Sequence, residues 1–226
     1  WRRSVAQRRL QALTHQRALA DEKARIAADM HDELGATLTQ IAILGEVGKG
    51  QATDAGCTRA TLEAISRAAR EATSRMSDLV WATNPRHDTL DNLVAFLRQH
   101  AASRLESAGL EAQLDFPLEV AGHHVSATFR CNLLLVLKEA LTNLVKYAAA
   151  SAATVRLDLD GMRVGLRVED NGRGFEPASR RGSGNGLGNM ERRVRDLGGE
   201  FTCESTPGQG TRLVISVPLE PRSRRG

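Results

Sequence analysis

Between residues 25 and 46 (RIAADMHDELGATLTQIAILGE), Ile26, Ala27, Met30, Leu34, Leu38, Ile41 and Leu44 recur at three- and four-residue steps. That spacing predicts an amphipathic helix with one apolar stripe. At about 100° per residue, His31 falls roughly 80° from the centre of the stripe, on its border, and Asp32 points away from the core. The helical pattern extends over residues 4–47, where Val5, Leu10, Leu13 and Leu19 are spaced loosely like a coiled-coil seam. Gly48, Gly50 and Gly56 then predict a loop, and a second helix over residues 57–80 carries the stripe Leu62, Ile65, Ala69, Ala72, Met76, Leu79 and Val80. Two stripes joined by a short loop form a helical hairpin that cannot bury its apolar surface alone. Pairing two hairpins gives a four-helix bundle, so the pattern predicts a homodimer.

Asn84-Pro85 ends the second helix, because proline disfavours helical geometry in the residue before it. The boundary falls there, giving a helical hairpin over 1–85, a second domain over 86–220 and a disordered basic tail over 221–226. A third helix spans 89–107 and stops at Gly109. Beyond it the periods mix: a strand over 111–116, a strongly apolar helix over 126–149, then TVRLDLD and RVGLRVED as alternating strands joined by Gly161-Met162. A glycine-rich loop leads to a helix over 187–197, and EFTCEST and TRLVISVPL close the domain as strands around PGQG. The fold class predicted is an all-α hairpin followed by an α/β sandwich of the α+β kind, one sheet covered by helices.

Composition changes this picture little. The 226 residues have room for two modest domains, and with aromatics at 4% the cores are built from aliphatic side chains. No apolar run approaches bilayer length and no secretory signal opens the chain. The chain starts at Trp-Arg-Arg without an initiator methionine, so it reads as part of a longer protein. Its basic start suits the cytoplasmic edge of a membrane span in a missing N-terminal region. A net charge of +4 points toward nucleic acid only superficially. The arginines are scattered along amphipathic helices and no stacking aromatics accompany them, which argues against that partner. Cys57, Cys131 and Cys203 are odd in number and lack metal-ligand spacing, as expected of reduced thiols in the cytoplasm.

Four clusters carry candidate chemistry. Glu139, Asn143 and Lys146, at steps of four and three, put a carboxylate, an amide and an ammonium on one face of an otherwise apolar helix. Such groups are costly on a buried helix unless they serve a site, and their oxygens suit Mg²⁺ shared with phosphates. Asp170-Asn171-Gly172-Arg173-Gly174-Phe175 follows a strand; glycines let the backbone approach a flat ligand and the aspartate can accept from an exocyclic amine. GSGNGLGNM, residues 182–190, opens a helix whose first amides can cradle phosphate. Gly208, Gly210 and Thr211 form the fourth cluster. Each has a plain alternative: a solvated helix face, a tight turn, a flexible loop, a hairpin turn.

The order and spacing of these parts are more specific than any one of them. E-x-x-x-N-x-x-K on a helix, then DNGRGF, GxGLGNM and GQGT, resembles the ATP-binding domain of the histidine kinase, gyrase, MutL and chaperone superfamily. Preceded by MHDELGATLTQI, the chain resembles the catalytic core of a two-component sensor histidine kinase, in the subgroup related to the nitrate sensors and DesK.

The resemblance implies that His31 is the phospho-acceptor and that Asp32 takes the proton from one ring nitrogen while the other attacks. It implies Mg²⁺ at Asn143 with Glu139 ordering the metal or its water, phosphate contact from Lys146, and adenine recognition by Asp170. Gly172 and Gly174 would shape the adenine pocket, with Thr211 near it; Gly184, Gly186 and Gly188 would form the hinge of a lid over 176–185. The cofactors implied are ATP and Mg²⁺, the partner is a response regulator, and the location is the cytoplasmic side of an inner-membrane protein. A non-catalytic ATP-binding dimeric scaffold is the alternative, and a gyrase-type ATPase leaves the His-Asp helix unexplained.

The chain departs from the family pattern in two places. Ala36 stands where the family carries a glutamine that orients water for dephosphorylating the regulator, which implies weak phosphatase activity. Lys146-Tyr147 stands where the subgroup often has Lys-His.

Overall fold

The computed structural model describes residues 35, 38–39, 41–48, 55–120, 122–176 and 185–219. The chain divides into two compact units, Trp1–Asn84 and Pro85–Gly226. In the first, residues 41–48 are helical (α1) and Ala55–Thr83 form α2. A Cβ on Gly48 would stand 3.1 Å from Cγ2 of Thr61, so the small residue at the end of α1 gives α2 room to pass close by. Among the described side chains of α2, Ala68, Ala72, Asp78 and Ala82 are buried. Leu38, Leu62, Met76 and Val80, all on the expected stripes, expose between 55% and 66% of their surface, so part of each stripe faces water in the single chain.

A 3₁₀ turn at Pro85–His87 opens the second unit. Leu90–Ser107 form α3, which buries Leu90, Leu93, Val94, Leu97, Ala101 and Leu105 at three- and four-residue steps. Its start is clasped to a later segment: Leu90 donates to the His123 carbonyl and Val125 to that of Asp88, both at 2.8 Å. β1 is Glu111–Asp115, α4 is Ala127–Asn143, β2 is Ala152–Asp160 and β3 is Arg163–Asp170. α5 spans Asn185–Asp196, followed by β4, Glu200–Ser205, and β5, Thr211–Pro218. The strand order is β1-β2-β3-β5-β4, with β1 parallel to β2 and every other pair antiparallel. Alternation sends Val155, Leu157, Val164, Leu166, Val168, Leu213, Ile215 and Val217 into the core. The two-residue connection Gly161-Met162 joins β2 to β3 as expected, with Asp160 paired to Arg163 and Gly161 at φ +57°.

α4 begins with Ser126 as its N-cap, whose hydroxyl accepts from Phe129 N–H at 3.1 Å. It buries Phe129, Leu133, Leu134, Val136, Leu137, Ala140 and Leu141, a broad arc that leaves few positions for polar groups. The helix does not continue regularly to residue 149, as its composition predicts. After Asn143 it widens into a π-turn, Leu144–Ala148, which ends at Ala149 in the left-handed region (φ 50°, ψ 38°). The cause is tertiary: the carbonyls of Tyr147 and Ala148 accept from Arg173, at 2.6 Å from Nε and 2.7 Å from the backbone N–H.

Candidate functional site

α4, the π-turn, the end of β3, the DNGRGF loop, the start of α5 and the start of β5 enclose a cavity of about 480 Å³. Its apolar lining comes from Ala140, Leu144, Ala148, Val168, Leu187 and Leu213, and its polar lining from Glu139, Asn143, Asp170, Arg173 and Thr211. An apolar chamber with a few polar groups suits a flat ligand carrying a polar tail.

Asp170 is the last residue of β3 and pairs with Thr211, the first of β5. Its Oδ1 accepts from the Gly172 N–H at 2.9 Å, and the backbone N–H of Thr211 also donates to the carboxylate. Burial raises its pKa above the ordinary aspartate value, and these two bonds pull part of that back. Ser205 knits the neighbouring turns together. Its hydroxyl accepts from Phe175 N–H and donates to the Gly210 carbonyl, both at 2.9 Å. With that proton committed, Thr211 is the donor in the 3.1 Å contact between the two hydroxyls. Asn171 is a staple rather than a reader: its Oδ1 accepts from the N–H groups of Ser151 and Ala152, each at 3.0 Å.

Two glycines make close approaches at the site, and at the first of them only glycine fits. Gly174 has φ +57°, and a Cβ there would land on the Thr206 carbonyl oxygen. A Cβ on Gly186 would land on Oε1 of Glu139. That close approach brings the start of α5 against the carboxylate and amide one turn apart on α4. Among the described residues no group of three or more His, Cys, Asp or Glu forms a metal cage. Glu139 and Asn143 together offer two oxygen donors on the cavity wall, the sparse set that fits Mg²⁺ completed by water and phosphate.

The expected site residues Glu139, Asn143, Asp170, Gly174, Gly186 and Thr211 therefore line one cavity. Gly172 is buried against the Ala148 backbone and Gly188 has open space around it. His31, Asp32, Ala36 and Gly184 lie outside the described residues, as does most of the expected lid, 177–184. Lys146 corrects the one-face expectation: it is exposed and does not line the cavity, whereas Tyr147 does. A turn closed by i→i+5 bonds takes more residues to go round. The residue that returns to the Asn143 face is thus four positions on, not three. Phe175 and Arg173 also line the cavity and had only their place in the glycine motif to mark them. Ser205 had no local signal, because its role follows from its pairing with Thr211.

A five-stranded sheet and α4, with a cavity bordered by a carboxylate at the end of β3, fit an ATP-binding domain. Residues 132–221 match the family described as "Histidine kinase-, DNA gyrase B-, and HSP90-like ATPase". Residues 22–88 match a second family, described as "Histidine kinase", and the chain belongs to the histidine kinases. It is 26% identical to the sensor histidine kinase LiaS of Bacillus subtilis over 95% of this chain and 59% of that protein. It is 31% identical to the histidine-protein kinase/phosphatase UhpB of Salmonella typhimurium over 85% of this chain and 38% of that protein. The chain thus spans between about two fifths and three fifths of these relatives. Its fold is shared with the histidine kinase domain of a blue-light activated kinase from Erythrobacter litoralis (TM-score 0.53, 18% identity, 89% of this chain and 94% of that one). It is likewise shared with the Acinetobacter baumannii histidine kinase AdeS (TM-score 0.54, 16% identity, 84% and 98%).

Proposed function

We propose that this chain is the kinase core of a sensor protein, which transfers the γ-phosphoryl group of ATP to His31 and from there to an aspartate of a response regulator. The observation that carries this reading is the meeting of Glu139, Asn143, Asp170 and Thr211 in one cavity, in a chain whose other domain holds adjacent His31 and Asp32. Asp170 accepts from the adenine amino group, with Gly172 supporting its carboxylate and Gly174 and Thr211 shaping the wall. Glu139 and Asn143 would hold Mg²⁺, which when bound offsets charge on the phosphates. Gly184, Gly186 and Gly188 serve as lid hinge and phosphate-facing turn. At His31 one imidazole nitrogen forms the new bond to the γ-phosphorus as the bond to the bridging oxygen breaks, and ADP departs. Asp32 receives the proton from the other nitrogen, which raises the ring's nucleophilicity.

The exposed Leu62, Met76 and Val80 of α2 support a homodimer, in which two hairpins cover each other's apolar faces. Anchoring at an inner membrane belongs to this proposal as a property of the longer protein. Among the described residues no helix is long and apolar enough to cross a membrane.

Incubation with γ-³²P-ATP and Mg²⁺ tests the reading. The expected product is a phosphoprotein whose label is lost in acid and kept in base. Phosphate release without a labelled protein would instead identify a gyrase-type ATPase, and nucleotide binding with neither would identify a scaffold.

The relative UhpB is named a kinase/phosphatase. We propose that the present chain keeps mainly the kinase half, because Ala36 cannot orient a water molecule. Ala36→Gln is expected to speed dephosphorylation of a phosphorylated regulator at least about tenfold, the scale at which one positioned water-binding group acts. Equal, rapid turnover by both proteins would refute this.

A further inference from the structure

We propose that Arg173 is a positioning residue for the nucleotide, acting through Tyr147. By clamping the π-turn it sets Tyr147 rather than Lys146 on the wall of the cavity. The proposal rests on the reading of this cavity as the ATP site. Three observations carry it. Arg173 holds two successive carbonyls of the turn, its Nε–H on Tyr147 at 2.6 Å and its backbone N–H on Ala148 at 2.7 Å. The loop that bears it is pressed onto the same turn, since a Cβ on the adjoining Gly172 would land on the Ala148 carbonyl oxygen. The far side of Arg173 is held too, its carbonyl accepting from Gly208 N–H at 2.7 Å, so the π-turn, the glycine loop and the β4–β5 turn are joined at one residue.

The clamp has something to hold against. Ala149 stops the turn with φ 50°, a backbone region that a residue with a Cβ rarely adopts. π-turns inside helices often mark functional positions. Its product here is a large aromatic residue, 47% exposed, on the lining of a polar-edged chamber. A flat base gains from such a surface, and an ordered surface binds better than one that must first be ordered. Arg173 is exposed, which places its main effect on the turn rather than on core stability.

The chain contains a single tyrosine, so incorporation of 3-fluorotyrosine gives one ¹⁹F resonance that reports on Tyr147 alone. Addition of ADP to the wild type is expected to shift it. In Arg173→Ala the resonance should move or broaden before nucleotide is added, and ADP affinity should fall about 5- to 10-fold, the scale of one ordinary hydrogen bond, because the lost bond acts on the nucleotide only through the turn. Arg173→Met, which keeps the aliphatic stem and the backbone N–H but no side-chain N–H, serves as the second variant and should behave alike. The decisive measurement is a double-mutant cycle. Arg173→Ala in a Tyr147→Ala background is expected to bind ADP no more weakly than Tyr147→Ala alone. Additive losses would show that Arg173 touches the nucleotide itself, and an unchanged resonance with unchanged affinity would show that it does neither. Either result overturns the proposal. A wild type that binds neither ATP nor ADP would overturn the ATP-site reading first and this inference with it.

Discussion

His31→Gln is expected to abolish the acid-labile phosphoprotein while leaving ATP affinity at its wild-type value. Glutamine approximates the size and polarity of imidazole but has no nucleophilic ring nitrogen, so the loss of label should be complete rather than graded. ATP affinity should not move, because the residues proposed to bind it all belong to the unit Pro85–Gly226. The chain has six histidines, so the result also discriminates among acceptors. Among the described residues the rival is His124, whose Nε2 lies 3.1 Å from Oδ2 of Asp88. That pair also couples an imidazole to a carboxylate, but His124 and Asp88 come from segments clasped by backbone bonds at the start of α3, and the pair is largely exposed. Label that survives His31→Gln and disappears in His124→Gln would move the acceptor to the second unit and remove the role proposed for the hairpin.

What was legible in the sequence follows from how local its cause is. β2 and β3 alternate strictly and are joined by two residues with a glycine first, so their pairing could be placed from pattern alone. The stripe of α3 is equally local. Six of the expected site residues meet in one cavity largely because three of them sit at element ends, where topology rather than packing detail brings them together: Asp170 ends β3, Thr211 begins β5, and Asn143 ends α4. The π-turn was hidden for the opposite reason. LVKYAAA contains no glycine or proline to break a helix, and the groups that hold its carbonyls arrive from Arg173, 26 residues later. The misplacement of Lys146 is a direct consequence, since a regular 3.6-residue period does not carry across such a turn. Ser205 was invisible for a similar reason. A serine at the end of an edge strand has no signature until its hydroxyl is known to join Phe175, Gly210 and Thr211.

Asp170→Asn separates what this residue does for the fold from what it does for the ligand. Burial opposes the charged carboxylate, so its pKa in the folded chain lies above the unfolded value, despite the N–H bonds from Gly172 and Thr211. A group shifted upward binds its proton more tightly when folded. Its stabilising contribution is therefore present below the unfolded pKa and is lost as pH rises through the folded pKa. The demand of the adenine amino group runs the other way, because only the ionised carboxylate is free of a competing proton. At neutral pH Asp170 thus costs the empty domain some stability and gives the nucleotide a charged acceptor. Asparagine removes the charge and, having one oxygen, keeps fewer of the backbone bonds, so the two effects on stability oppose and the melting temperature should change little. Affinity has no such compensation. Loss of a hydrogen bond to a charged group is worth about 1.5–3 kcal/mol, or roughly 10- to 150-fold in Kd for ADP. Calorimetric titration across pH supplies the second readout. Wild-type affinity should decline on acidification, beginning at a higher pH than for an exposed aspartate, while affinity in Asp170→Asn should be nearly flat with pH. Wild-type affinity in Asp170→Asn, or the same pH dependence in both proteins, would mean that another group reads the base.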